Sequence, residues 1–247
     1  MSVAVYTREE FEQLRIESAL RMSQDQELAQ DASGVLVRAD RYNWIHQTTW
    51  FGEPTLQLPQ DLFAFQEIIF KTRPKFIVEV GVAWGGSLLM YSTLLEALGG
   101  GQIVGIDVYI PDDLRQRLAS HRLFDRITLI QGSSVEDATL QQVRTIVGDC
   151  KEVMVHLDSS HSHEHVLREL RSYSEFVGKG HYLVCGDTIT EYIPPQTHRP
   201  RPWGPGNNPK TALDAFLIES KRFEVDKQID GKLLFTCNPG GYLRCKG

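Results

Sequence analysis

Nowhere in the 247-residue sequence does an apolar run approach the ~20 residues of a membrane span. The opening MSVAVYTREEFEQLRIESAL turns acidic too soon for a secretory signal, so a cytoplasmic protein is expected. Basic residues are in the minority, 26 Lys and Arg against 32 Asp and Glu, and the formal charge of −6 argues against a phosphate-backbone partner. No nucleic acid is expected. Cysteine is scarce: Cys150, Cys185, Cys237 and Cys245 form no C-x-x-C pair, and a chain of this length needs no disulfide staples. They are expected to be reduced, with Cys185 and Cys237 in strands. The dinucleotide fingerprint G-x-G-x-x-G is also missing, because Ala83 stands where its second glycine would fall in EVGVAWGGS.

What is present suits one globular domain with a buried core, at 41% hydrophobic and 23% charged. Residues 1–41 read as a helical extension, with Phe11, Leu14, Ile16, Leu20 and Leu28 at loosely helical spacing; such a segment covers a site or dimerises, and a homo-oligomer is expected. The aromatic stretch RYNWIHQTTWFGEPTLQLP reads as an ordered loop with Tyr42, Trp44, Trp50 and Phe51 packed on the core or over a ligand, followed by a helix from about Pro59 to Lys71. From Pro74 five short apolar runs, KFIVEVG, GQIVGIDV, ITLIQGS, EVMVHLD and HYLVCGD, alternate with helical patterns. That alternation is the mark of a parallel sheet covered on both faces, an α/β doubly wound fold. After a helix capped by Asn208 with Pro209 in its first turn, FEVDKQIDGKLLFTCN reads as two strands joined by an Asp230-Gly231 hairpin, closing the seven-stranded sheet with an antiparallel strand.

In such a sheet ligands lie beyond the carboxyl ends of the strands, where the strand order reverses. The first strand ends in E-x-G-x-x-x-G-G, with Glu79, Gly81, Gly85 and then Ser87. This places a carboxylate at the strand end and lets bare backbone approach a ligand that carries no phosphate; a methyl donor with an amino-acid tail and a sulfonium fits. The second strand ends in Asp107, placed to hold two ribose hydroxyls, and the third in Gly132 and Ser133, placed to border an adenine. Taken singly, Gly81 is a turn, Asp107 an N-cap and Ser133 or Ser134 a helix cap; three successive strand ends of this kind point to a nucleotide-like ligand.

This pattern resembles the class I methyltransferases that use S-adenosylmethionine. WFGEPTLQLPQDL, EVGVAWGGS, LDSSHSHEHVLREL, YLVCGDTI and NPGGYLRC, in that order, resemble more closely the cephalosporin hydroxylase and rhamnosyl O-methyltransferase family over residues 42–247. The resemblance implies O-methylation of a hydroxyl on a small molecule, a sugar moiety or secondary metabolite, in a metal-assisted site. The fourth strand ends in Asp158, with His161 three residues on, and the fifth in Asp187 and Thr188. Two carboxylates at neighbouring strand ends suit a hard cation such as Mg²⁺. By similarity to methyltransferases of the catechol type, Asp158 and Asp187 would be ligands, Thr188 a weaker third, and His161 a base that is neutral near pH 7; Asp158 also borders the cofactor. One departure stands out: Gly186 occupies a place where the family often has an acid.

His163 and His165 are expected on a solvated helix face, since alternate helical positions do not converge on a metal. The Pro-rich stretch around PRPWGPGNNPK, in a loop spanning about 190–209, reads as a lid with Trp203 stacking on a sugar or aromatic ring, and Trp50 as a second aromatic over the acceptor. A contrary reading keeps the fold but not the chemistry, as a nucleotide-binding or assembly protein that lost its acceptor site at Gly186. An NAD-dependent oxidoreductase is disfavoured by the missing G-x-G.

Overall fold

The computed structural model describes residues 6–247. Helices α1 (Arg8–Met22) and α2 (Gln26–Asp40) come first. Thr7 and Glu10 cap α1 reciprocally, and the Asp25 carboxylate accepts from Leu28 N at the head of α2. A small antiparallel pair, β1 (Thr49–Trp50) and β2 (Glu53–Pro54), leads into α3 (Pro59–Thr72), whose first turn tolerates Pro59 because no intrahelical donor is needed there.

The alternating core follows: β3 (Phe76–Val80), α4 (Gly86–Ala97), β4 (Gln102–Asp107), α5 (Asp112–Ala119), β5 (Ile127–Gln131), α6 (Asp137–Val147), β6 (Val153–Leu157), α7 (His163–Tyr173) and β7 (Tyr182–Cys185). It closes with α8 (Pro209–Glu219), β8 (Phe223–Val225), a short α9 (Lys227–Gly231) and β9 (Tyr242–Cys245). The seven-stranded sheet has the order β5-β4-β3-β6-β7-β9-β8, parallel except that β9 runs antiparallel to both neighbours. Strands buried on both faces must be apolar throughout, which is why they are rich in Val and Ile rather than alternating. Phe65 and Ile69 of α3, Leu88 of α4 and Leu118 of α5 cover one face; Val143 of α6, Leu170 and Tyr173 of α7 and Phe216 of α8 cover the other.

Three expectations need correction. Asp230-Gly231 is no hairpin turn, and KLLFTCN after it forms no strand; β8 pairs instead with β9. The two residues end α9, where Asp230 Oδ1 accepts from Gly240 N and a side chain on Gly231 would meet Ser23 at the end of α1, 3.2 Å away. Cys237 lies in the loop before β9, and the strand cysteines are Cys185 and Cys245; all four are reduced. In the aromatic loop Trp44 packs edge-on against Phe235, but Tyr42 and Phe51 are 70% and 62% exposed. No helix among the described residues is long and apolar enough to cross a membrane.

The chain winds outward from β3 through β4 and β5, then returns to build β6 and β7 on the other side, so the order reverses between β3 and β6. Their carboxyl ends meet closely. Gly81, just past β3, has φ +99°, and a Cβ there would lie 2.1 Å from the Asp158 carbonyl oxygen. Gly81→Ala should therefore cost about 2 kcal/mol or more, from left-handed strain of ~1–2 kcal/mol plus the displaced Asp158 backbone. Urea unfolding midpoints measure this, and a variant as stable as the wild type would show that the two strand ends can part freely.

Candidate active site

A cavity of about 500 Å³ opens at this reversal, within the range of small-molecule sites. On one side the ends of β6 and β7 bring Asp158, His161 and Asp187 together, with one donor atom from each within 4.8 Å of the others. His161 Nδ1 lies 3.1 Å from Asp187 Oδ2 and its Nε2 3.6 Å from Asp158 Oδ1. Burial pulls the His161 pKa down, but the charges of Asp187 and Asp158 outweigh it and raise it to about 9. Without a cation between the acids, His161 is thus an imidazolium at pH 7, not the neutral base expected from the sequence. Burial, aided by the Asp158 charge, pushes Asp187 above the ordinary carboxylate range; Asp158 is also buried, yet His161 and the Gln57 hydrogen bond hold it below that range.

The glycine at 186 has a steric reason. A Cβ there would come within 2.9 Å of Asp158 Oδ1 and 2.8 Å of the Leu157 carbonyl oxygen, so any side chain would displace the Asp158 carboxylate. The absent acid is the condition for Asp158 to lie where it does. Thr188 is not in the cavity wall: it is fully buried, and its hydroxyl donates to the Pro239 carbonyl at 2.9 Å. An oxygen donor that the sequence did not advertise sits nearby instead. Gln57 donates through Nε2 to Asp158 Oδ2 at 2.7 Å, and its buried Oε1 has no partner among the described residues. Hard carboxylate oxygens around a buried amide oxygen suit a cation such as Mg²⁺ in donor chemistry.

On the other side Glu79 forms the cavity floor, 1% exposed, accepting from Ser87 Oγ at 2.8 Å, with His156 Nδ1 at 3.2 Å. Burial raises the pKa of Glu79; on His156 burial pulls the other way, but the Glu79 hydrogen bond and the charges of Asp158, Glu79 and Asp61 together outweigh it and raise that pKa as well. Asp107 borders the cavity, but Oδ2 accepts from Val82 N and Ala83 N and Oδ1 from Tyr109 N. With about four lone-pair sites on a carboxylate, little remains for a two-pronged grip on a diol in this arrangement. Gly85 lies outside the wall; its φ of +77° starts α4, and a side chain there would strike Leu118.

The wall after β5 is made by Gly132 and Ser134, not Ser133. His165 belongs to it too, contrary to the solvated face expected. Its Nε2 lies 3.1 Å from Glu169 Oε1, the same oxygen that accepts from Ser134 Oγ and Ser159 Oγ at 2.5 Å each. Glu169 is fully buried and so fixes three side chains of the wall at once. His163 instead pairs with Thr211 Oγ1 at 2.8 Å. Trp203 lines the cavity with its ring centroid 5.0 Å from that of His161, whereas Trp50 is structural, donating through Nε1 to Thr93 Oγ1 and packing below α4. The sequence signal for Gln57, His165 and Glu169 was only their type, since nothing in their spacing says which way they face.

A Rossmann-like sheet with one reversed strand near its edge, and a cleft holding an acidic pair and a histidine at the ends of β6 and β7, defines a protein of the class I methyltransferase type. The description Rhamnosyl O-methyltransferase/CmcI matches residues 42–246, and the chain belongs to that family. It is 26% identical over 201 residues to the rhamnosyl O-methyltransferase of Mycobacterium tuberculosis H37Rv, covering 80% of this chain and 78% of that one. To the rhamnosyl O-methyltransferase of Mycobacterium leprae it is 27% identical over 205 residues, covering 79% and 82%. Among solved structures, an apo structure of CmcI superposes with a TM-score of 0.57 at 21% identity over 82% of this chain and 77% of that one. A CmcI structure described as Mg-SAM gives 0.57 and 21% over 82% and 78%. At these identities the structural likeness speaks for the fold.

The raised His161 pKa has a consequence for stability. The native chain binds this proton more tightly than the unfolded chain, whose value is near 6.5, so the stabilisation is complete below pH 6.5 and is lost as pH rises through 9. The loss is on the order of 3 kcal/mol at most. Urea titrations in EDTA at pH 6.5 and 9.5 should show that decline in the wild type and a flatter profile for His161→Gln. Equal slopes would mean the two acids do not grip the imidazolium.

Proposed function

We propose that the chain is an S-adenosylmethionine-dependent O-methyltransferase that acts on a hydroxyl of a small molecule, a sugar moiety or secondary metabolite, with Mg²⁺ held by Asp158 and Asp187. The observation that carries this reading is His161, set between two strand-end carboxylates and facing Trp203 in the wall of the family's cleft. When bound, S-adenosylmethionine supplies an electrophilic methyl group and Mg²⁺ a Lewis acid that makes a nearby hydroxyl easier to deprotonate. The relatives named as O-methyltransferases and the CmcI structure described with Mg and SAM support both.

The chain's own residues do the rest. With Asp158 and Asp187 neutralised by a dication, His161 loses the partners that hold its proton and returns toward the range where imidazole accepts one near pH 7. It can then take the acceptor hydroxyl proton at Nδ1 or Nε2 as the oxygen bonds to the methyl carbon and the carbon–sulfur bond breaks. Gln57 steadies the Asp158 carboxylate, and Glu79, Gly81, Ser87, Asp107, Gly132 and Ser134 shape the cofactor end. Trp203 and the 190–209 segment cover the acceptor. A division into a helical extension, residues 1–41, and a catalytic domain, residues 42–247, is supported by the family match beginning at residue 42. We place the enzyme in the cytoplasm as a homo-oligomer; Phe63 and Phe70, seven residues apart on α3 and 70% and 58% exposed, support self-association.

His161→Ala should lower single-turnover methyl transfer by roughly 10²–10⁴-fold, the usual share of general-base catalysis, while S-adenosylhomocysteine affinity stays within a few fold. EDTA should remove most of the wild-type rate and leave Asp187→Ala, already slow, little changed. A wild type indifferent to EDTA would sink the metal, and full activity without His161 would sink the base.

A further inference from the structure

The wall of the cavity facing the acids is basic. Arg199 and Arg201 reach it from the 190–209 segment and His46 from the loop after α2. Arg199 is committed elsewhere: its NH2 and Nε donate to the two oxygens of Asp40 at 2.5 and 3.2 Å, and His198 Nε2 sits 2.8 Å from the same carboxylate. Asp40, at the end of α2, is 7% exposed, so this fork latches the lid to the N-terminal helices. Arg201 has no such partner; no carboxylate among the described residues lies within ion-pair distance of it. Its guanidinium is held by an aromatic face instead, with Cζ 5.6 Å from the Trp203 ring centroid. The Trp203 ring is in turn 5.0 Å from the His161 ring.

An arginine in this wall does nothing for a dication held by Asp158 and Asp187, since like charges repel. The donor's sulfonium gains nothing from it either; the donor's amino-acid carboxylate is the competing oxyanion, and the S-adenosylhomocysteine affinity of an Arg201 variant separates it from the acceptor. Burial first, then the charges of Arg199 and Arg201 against that of Asp40, lower the pKa of His46; with Arg199 paired to Asp40, the positive charge left over in this wall is that of Arg201. His161 and Arg201 both neighbour the Trp203 ring, so they are separated by no more than the two ring spacings laid end to end, and a group seated beside Trp203 can meet both. A single sugar unit with one substituent spans that.

Resting on the methyltransferase reading above, we propose that the acceptor carries an oxyanion, a carboxylate or a phosphoryl group, on the ring seated beside Trp203, and that Arg201 is the residue that selects it. The planar guanidinium fork matches either group with paired hydrogen bonds, which a lysine could not do. Neutral sugars of the same shape lose that contact and leave the cation solvated.

The test uses the full chain with Mg²⁺ and S-adenosylhomocysteine, titrated at fixed ionic strength with glucose, glucuronate or glucose 1-phosphate. The arginine Nε–Hε signals are followed by NMR, and the Arg201 signal is identified by its absence in Arg201→Gln. At least one anionic probe should shift that signal while glucose does not, and Arg201→Gln should weaken that probe about tenfold or more without changing S-adenosylhomocysteine affinity. A response to glucuronate alone points to an acidic sugar, and a response to the phosphate alone to a phosphorylated one. A still Arg201 signal with both anions, an equal shift with glucose, or unchanged anion affinity in Arg201→Gln overturns the proposal. Failure of S-adenosylhomocysteine to bind at the outset would overturn the methyltransferase reading itself.

Discussion

Asp158 reaches the centre of the cleft because both strands beside its own end in glycine. β6 is flanked by β3 and β7; beyond β3 stands Gly81, beyond β7 stands Gly186, and a Cβ on either would collide with Asp158, through its carbonyl in one case and its carboxylate in the other. Strands in a parallel sheet are only about 4.8 Å apart, so three strand ends cannot all turn inward with side chains. Two bare positions let the middle one project. The distances from Asp158 to Gln57 and His161 follow from that single relief of crowding.

The cleft that results concentrates acids, and three different partners control them. Glu79 shares a buried contact with His156, Asp107 caps the backbone of the glycine turn, and Asp158 and Asp187 hold His161 between them. Burying a carboxylate costs several kcal/mol unless hydrogen bonds and opposite charges replace water, and these partners supply that replacement. Glu79 and Asp107 are internally satisfied. Asp158 and Asp187 are balanced by a single imidazolium, so the least compensated negative charge of the cleft lies at the ends of β6 and β7.

The segments outside the family's motifs bear on the same cleft. Asp40 of α2 binds Arg199 and His198, which ties the 190–209 segment to the N-terminal helices and leaves Trp203 and Arg201 facing the cavity. Glu191 completes the tie at the far end of the loop, accepting from Gly206 N and Asn208 Nδ2. A long loop becomes a defined wall through a handful of charge-assisted bonds rather than through a core of its own.

The alternation of apolar runs with helical patterns was enough to set out the five parallel strands and the helices between them, because burial on both faces imposes a composition that can be read locally; a reversed closing strand was also expected, but it is formed by Tyr242–Cys245 and not by the segment after Asp230-Gly231. The alternation also placed Asp158, His161 and Asp187 at strand ends, since a strand's end is a property of the sequence. What it could not decide was direction. Whether Ser133 or Ser134 faces the cavity, whether Thr188 turns to a metal or to Pro239, and whether Trp50 meets ligand or core depend on neighbours far away in the chain. Asp230-Gly231 carries the local signature of a hairpin, but packing against α1 overrode it. The protonation of His161 belonged to the same class: the imidazole's own tendency is written in its side chain, and its charge was settled only when folding set two carboxylates on either side of it.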